Sequence, residues 1–514
     1  MYFFRHRLAL PKPFLFLLFL SPATHSAASL IHYDNIFSFS LENIKISDEE
    51  KMGLLGANYL VQTSRLGYAG LGIYSAVTGD RGGFFTGGLA MGSDLFLFYP
   101  FTLRPAIFVG GGGGGAAPQG GGLMLRASAD IIYNRKDWQT GIGWSDVRFP
   151  NGDINSKQIN LSFAYRFEDW MAVGWPKGKG QISSLSLPAQ SQQRELYLQS
   201  ETYWPQRGQS GRSHTPLDGR MDLIGIRWRQ QLNTRWKGEF QTDGAWGGNT
   251  DGFAQVLLGA SYRIVGSSSV DWYLGAMLGA AGGGDVDTGG GLISRGFSGI
   301  SLNILNKLNI HGELGYTDAM AGQFSATTIS LGLGWNYESL VPASSVDLSY
   351  RGSDFNWSKW RLRFGSQRYL GTQDEDRKGD EFVGEPVDLA VLKLDAFINN
   401  SLYVTGQALG AYEGGAGGYA VGLVGAGLRS PLYRKVIELE VGAEATLGAA
   451  GGGGIAVGGG RIFQAMVNFG LQTRYAWGLE LSVGQVNSMD GGLSERVVDM
   501  NIQYRFSTPH TSSS

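Results

Sequence analysis

Over its last segment the chain alternates strictly between apolar and polar positions. Val498, Met500, Ile502, Tyr504 and Phe506 fall on one face, and Asp499, Asn501, Gln503 and Arg505 on the other. A two-residue period is the mark of a strand with two different environments on its faces. Ile159, Leu161, Phe163, Tyr165 and Phe167 repeat the pattern, as do Ile329, Leu331, Leu333, Trp335 and Tyr337. Ile437, Leu439, Val441, Ala443, Ala445 and Leu447 oppose Glu438, Glu440, Gly442, Glu444 and Thr446. Segments of about 9–11 residues are long enough to cross a bilayer as tilted strands. No amphipathic helical stretch stands out.

The strands come in a repeated order. Glycine-rich blocks at Gly110–Gly122, Gly279–Gly291 and Gly448–Gly460 lie 169 residues apart (279 − 110 and 448 − 279) and align without a gap. Met52-Gly-Leu-Leu-Gly56 returns as Met221-Asp-Leu-Ile-Gly225 and as Val387-Asp-Leu-Ala-Val391. Gly83-Phe84-Phe85 returns as Gly252-Phe253-Ala254 and Gly418-Tyr419-Ala420. This period is far longer than the roughly 20–50 residues of solenoid repeats, so each unit is closer to a domain. The expected division is a signal segment at 1–28, units at 29–167, 194–337 and 357–506, connectors at 168–193 and 338–356, and a polar tail at 507–514. Each unit holds about eight alternating segments, which predicts about 24 strands in all.

The first 28 residues carry a basic start (Arg5, Arg7, Lys12), an apolar run from Phe14 to Leu20, and small residues at Ser26, Ala27 and Ala28. That is the layout of a cleaved secretory signal. The apolar run is too short for a membrane helix. With no cysteine, disulfides and thiolate metal sites are excluded. Lys and Arg number 42 against 44 Asp and Glu. This leaves no basic field for nucleic acid. Glycine accounts for 80 residues, yet aromatics make up 12%, so the glycine belongs to ordered structure rather than a disordered tract.

Long polar connections after odd-numbered strands (206–219, 372–385, 146–156) alternate with shorter turns after even-numbered ones. Membrane barrels place short turns on the periplasmic side and long loops outside, with aromatics at the interfaces. On these features the chain resembles a Gram-negative bacterial outer-membrane β-barrel. Val498 to Phe506 is similar to the C-terminal assembly signal of that class, although Ser507 to Ser514 follow the terminal aromatic. The resemblance implies an all-β, transmembrane antiparallel barrel in the outer membrane. It also implies contact with outer-membrane lipids and the barrel-assembly machinery, and leaves room for a periplasmic or secretion partner. No cofactor and no metal is implied.

Two closures satisfy the rule that strands in lipid leave no free edge. One barrel of about 24 strands is the expectation; three tandem eight-stranded barrels are the alternative. In the first, Val498–Phe506 pairs with Ile36–Asn43; in the second, Ile159–Phe167 closes there. Candidate lumen-lining charges are Arg126, Asp130, Arg166, Glu438, Glu440, Glu444, Asp499 and Arg505. They would tune solute selectivity in a wide pore or form a paired network filling a narrow barrel. The glycine blocks (Gly110, Gly122, Gly279, Gly291, Gly448, Gly460) would fold into the lumen as plugs or allow close packing. The acidic run Asp374-Glu375-Asp376 with Asp380-Glu381 carries oxygen ligands suited to a divalent cation, or forms a solvated loop. His311, beside Glu313 on one face, is the one histidine placed for catalysis. The functional expectation is a channel or export conduit for solutes or a polymer. A structural or adhesive surface barrel comes second, and a lipid-modifying enzyme third.

Overall fold

The alternating segments form the strands of a computed structural model, which describes residues 30–511 except 47–49, 65, 186, 218, 249, 268, 306, 344–349, 351, 380, 381, 435, 436, 474 and 475. The signal segment 1–28 lies outside the described residues, as do Asp380 and Glu381 of the acidic run. The first block holds β1 (Leu30–Lys45), β2 (Lys51–Gln62), β3 (Gly67–Thr78), β4 (Phe85–Ser93), β5 (Leu95–Phe98), β6 (Phe101–Gly113), β7 (Met124–Arg135), β8 (Trp138–Arg148) and β9 (Asn155–Val173). A two-residue strand, β10 (Gly180–Gln181), lies in the connector. The second block runs through β11 (Ala189–Pro205), β12 (Met221–Gln231), β13 (Trp236–Gly247), β14 (Ala254–Gly266), β15 (Val270–Gly282), β16 (Leu292–Leu305), β17 (Leu308–Ala319) and β18 (Ser325–Pro342). The third holds β19 (Asp354–Tyr369), β20 (Val387–Phe397), β21 (Leu402–Glu413), β22 (Ala420–Arg434), β23 (Ile437–Gly451), β24 (Arg461–Thr473), β25 (Trp477–Ser488) and β26 (Ser494–Thr511).

Neighbouring strands pair antiparallel, and the closing pairs decide the architecture. β1 pairs with β9 from Leu30↔Ala172 to Glu42↔Asn160. β11 pairs with β18 from Ala189↔Pro342 to Pro205↔Ala326, and β19 with β26 from Phe355↔Thr511 to Tyr369↔Val497. Each block therefore closes on itself. These registers overturn the expected single barrel of about 24 strands: Ile36–Glu42 pairs with the end of its own block, and β26 closes on β19. The physical reason is length. An eight-stranded barrel has an interior just wide enough to be filled by side chains, so each block is already a complete unit. Barrels 1 and 3 are joined where Phe506 and Ser507 of β26 also pair with Val173 and Ala172 of β9.

The barrel walls extend into the expected connectors. Residues 168–173 and 189–193 are strand, as are 338–342 and 354–356. The expected polar tail also changes character, since Ser507–Thr511 continue β26. Ser507 Oγ donates to the Gly174 carbonyl at 2.9 Å and Thr511 Oγ1 to Glu338 at 2.8 Å. These contacts tie the tail to both neighbouring blocks. Trp170, Ala189, Leu340 and Phe355 pack together there, one cluster drawn from all three.

The outward faces carry exposed Ile131, Ile142, Leu161, Leu274, Leu331, Val467 and Leu481. Aromatic side chains gather at the short-turn end, where Trp138 contacts Tyr165, Trp236 contacts Tyr262 and Trp477 contacts Tyr504. An apolar band edged by aromatics is the surface a bilayer solvates. Among the described residues no helix is long and apolar enough to cross a membrane. Closure of the first block is directly testable, because the chain holds no native cysteine. Ser38 faces Ala164 across β1 and β9, at a separation that suits a disulfide. A Ser38→Cys, Ala164→Cys variant should crosslink on oxidation and shift on a gel, and a Ser40→Cys, Asn501→Cys variant should not. The reverse result would restore the single barrel.

Candidate functional site inside and between the barrels

Alternation sends every second side chain into a lumen, and in eight-stranded barrels those side chains must satisfy one another. In barrel 2, Arg227, Arg229 and Arg295 meet Glu201, Glu239 and Glu313, all fully enclosed. Glu313 accepts from Arg227 Nη1 and Arg229 Nη2, each at 2.5 Å, and from the Tyr273 hydroxyl at 2.9 Å. Arg295 lies 2.6 Å from Glu201 and 3.3 Å from Glu313. Barrel 3 repeats the idea with Arg363, which reaches Asp395 at 2.7 Å, Glu444 at 2.6 Å and Glu480 at 2.9 Å.

Of the eight candidate charges, Arg126, Asp130 and Arg166 lie on strands of barrel 1 and Glu438, Glu440, Glu444, Asp499 and Arg505 on strands of barrel 3. In barrel 1 Arg126 binds Glu42 at 2.7 Å, Asp130 accepts from Asn160 at 2.9 Å, and Arg166 reaches Asp94 at 2.5 Å. In barrel 3 Glu444 pairs with Arg363, and Asp499 accepts from Lys393 at 2.5 Å. Arg505 binds Glu438 at 3.0 Å and also contacts Glu440. The cavity remaining in barrel 1, lined by Ser40, Asn58, Arg104, Arg126 and Asp130, is about 50 Å³. That is room for a few waters and no more. The barrel 2 cluster was missed in the sequence. Its signal is two arginines spaced by two, Arg227 and Arg229, flanking Trp228 on β12.

Each lumen is also stoppered at its long-loop end. Phe84, Phe253 and Tyr419 are at most 1% exposed and belong to the apolar clusters of barrels 1, 2 and 3. They are the aromatics of the thrice-repeated Gly-aromatic motif. At the short-turn end of barrel 3, connector residue Trp175 donates to the Trp360 carbonyl at 3.0 Å. Its ring lies 4.4 Å from Phe397, with Arg505 and Arg429 at 4.3 and 5.0 Å. His311 is fully buried in barrel 2 with its ring 4.4 Å from Tyr197, and neither ring nitrogen has a hydrogen-bond partner. Asp376 of the acidic run accepts from the backbone of Ser494 at 2.8 Å.

The glycine blocks face two ways. Gly110, Gly279 and Gly448 lie against the neighbouring strand of their own barrel: a Cβ would strike the carbonyls of Gly87, Val256 and Gly422. Gly122, Gly291 and Gly460 lie against a different barrel, where a Cβ would strike the carbonyls of Ala411, Ala76 and Ala245. An added Cβ would lie 2.5 Å from the Ala76 oxygen at Gly291 and 2.5 Å from the Gly410 oxygen at Gly111. Block 1 thus packs on barrel 3, block 2 on barrel 1, and block 3 on barrel 2. The motif glycines Gly83, Gly252 and Gly418, at φ of 90, 87 and 91°, receive these contacts. The Gly82 N–H donates to the Gly289 carbonyl at 2.9 Å and the Gly418 N–H to the Gly112 carbonyl at 3.3 Å. A head-to-tail contact that closes after three steps makes a ring, here within one chain.

Loops reinforce the ring. Arg212 of barrel 2 donates to the Asp80 carbonyl of barrel 1 at 2.7 Å. Beside it, partial burial pushes the Asp285 carboxyl up. Hydrogen bonds from Ser213 and Thr215 outweigh this and hold it below the usual carboxylate range.

Below the glycine ring the three walls line an open-sided cavity of about 1490 Å³. Leu71, Ile73 and Leu89 line it from barrel 1, Leu198, Ile226 and Leu333 from barrel 2, and Leu392, Val404 and Leu479 from barrel 3. Gly83, Gly252 and Gly418 border one end, and Trp335, Trp360 and Trp477 also line it. It exceeds the roughly 300–1,000 Å³ of ordinary ligand pockets.

The class this geometry defines is the outer-membrane-type antiparallel β-barrel, present three times in one chain. No protein-family model and no curated protein matches the chain. Among solved structures it is similar to OccAB3 of Acinetobacter baumannii at 10% identity, covering 93% of this chain and 99% of that one, with a TM-score of 0.19. It is similar to OccK2 (OpdF) of Pseudomonas aeruginosa in complex with glucuronate at 10% identity, covering 93% and 98%, with a TM-score of 0.21. The siderophore receptor PirA from Acinetobacter baumannii matches at 9% identity over 92% and 80%, with a TM-score of 0.27. Overlap this low decides neither closure nor function; the strand registers carry the architecture.

Removing one carboxylate from the barrel 2 cluster should be costly. Glu313→Ala leaves three buried guanidiniums short of a partner and should destabilise barrel 2 by about 3–5 kcal/mol, measured as a lower urea midpoint for loss of the folded gel band. An unchanged midpoint would show that the cluster is hydrated rather than buried.

Proposed function

We propose that this is an integral protein of the bacterial outer membrane, of the channel and conduit class, whose working space lies between its barrels rather than inside them. The observation that carries the reading is the apolar cavity of about 1490 Å³ walled by three barrels. Each lumen is filled by ion pairs such as Arg126–Glu42, Arg295–Glu201 and Arg363–Glu444. The cavity walls favour apolar molecules over ions, because they offer hydrocarbon contact and few polar side chains. The lumen charges, including Asp499 and Arg505, hold the walls in shape. A rigid surface scaffold is the second reading, favoured by the clasp of Arg212 on Asp80 and Gly289 at 2.7 and 2.8 Å.

Conductance and dye uptake test the proposal together. In planar bilayers the protein should show no large steady ion currents, and cells carrying it should take up an apolar fluorescent dye faster than cells without it. Large currents would return the path to a lumen, and equal dye uptake would favour the scaffold.

A further inference from the structure

The cavity is roofed at one end and bordered by tryptophans. At the roof, Gly83, Gly252 and Gly418 bring neighbouring backbones into contact. Trp335, Trp360 and Trp477 stand on the strand ends nearer the short turns. Short turns face the periplasm in this class and tryptophan favours the membrane–water boundary, so this border lies at the level of the inner leaflet's headgroups. A cation stands there as well: Lys307 Nζ lies 5.9 Å from the centre of the Trp335 ring. The order along the membrane normal is therefore cation, aromatic collar, hydrocarbon wall, glycine contacts. That order matches a phospholipid standing tail-first, with its phosphate beside Lys307 and its chains under the glycines.

We infer that the space between the barrels is a binding site for the acyl chains of inner-leaflet glycerophospholipid. The inference rests on the inter-barrel reading above, but on its geometry and not on transport. Water is a poor occupant of an apolar space of this size, since a buried water needs several polar partners. Protein side chains do not fill it either. A Cβ added at Gly87, Gly406 or Gly422 would meet nothing within 4 Å, and all three glycines line the cavity.

Those same glycines supply the test. The variant Gly87→Leu, Gly406→Leu, Gly422→Leu puts three side chains into the space. Gly296→Leu adds the same group at a position equally open and outside the cavity lining. Each protein is reconstituted in phosphatidylethanolamine–phosphatidylglycerol bilayers doped with a phospholipid spin-labelled near its chain end. The wild type and Gly296→Leu should show a slowly exchanging immobilised spectral component. Boundary lipid on the outer walls is immobilised in every variant, so the comparison is made on the slowly exchanging component. The triple variant should lose that component by roughly tenfold or more, the factor that about 1.4 kcal/mol of lost binding gives. Folding is checked by the heat-sensitive gel band, and Gly406→Leu alone replaces the triple variant if that band is lost. No slowly exchanging component in the wild type, or an equal one in the filled variant, overturns the inference. A labelled free fatty acid immobilised in place of the phospholipid also overturns it, because no phosphate is then needed. Immobilised phospholipid without faster dye uptake would leave this site standing and remove the conduit.

Discussion

Backbone groups in hydrocarbon have no water to bond, so every strand edge in the membrane must find a partner. Everything else in this molecule follows from where that demand is met. β9 meets it on β1, β18 on β11 and β26 on β19, after eight wall strands each time. Eight strands leave an interior of one side chain's reach, and half of all wall positions point into it. Polar groups placed there lose water and must be returned their hydrogen bonds by one another. The arginine–carboxylate clusters are that return, and Glu313, shared by Arg227, Arg229 and Arg295, is one example. Buried pairs of this kind add little net stability, because the cost of desolvating both charges offsets their attraction.

The second constraint is the meeting of the barrels. Side chains on the outer walls are large near the short turns and absent near the roof. Glycine at the roof lets backbones touch, while Leu, Ile and Trp on the lower walls hold the cylinders apart. The central cavity is the geometric remainder of that difference. In the motif Gly83-Phe84 and its copies, one residue serves each side. The glycine faces the neighbouring barrel, and the aromatic turns inward to cap its own.

Much of this was legible in the residues. Alternation from Val498 to Phe506 and from Ile159 to Phe167 shows strands with a wet face and an oily one, and puts Asp499 and Arg505 on the wet side. Closure was not legible, because a strand's alternation is satisfied equally by either neighbour. The one hint was the length of the connectors, and even these proved shorter than expected once β9, β11, β18 and β19 ran into them. The glycine blocks were visible as a repeat, but their partners lie in another unit and need three dimensions. Arg227 and Arg229 were overlooked because β12 alternates between two arginines and two bulky apolar residues, Ile226 and Trp228, and reads as merely amphipathic.

The ring of contacts running from block 1 to barrel 3, block 3 to barrel 2 and block 2 to barrel 1 resembles a trimer whose subunits share one backbone. Such an assembly cannot come apart on dilution, and its stoichiometry needs no control of expression. Each copy also has a fixed neighbour on either side. Interfaces and interiors that a true homotrimer must keep identical are therefore free to differ, as the unlike charge clusters of the three barrels already do.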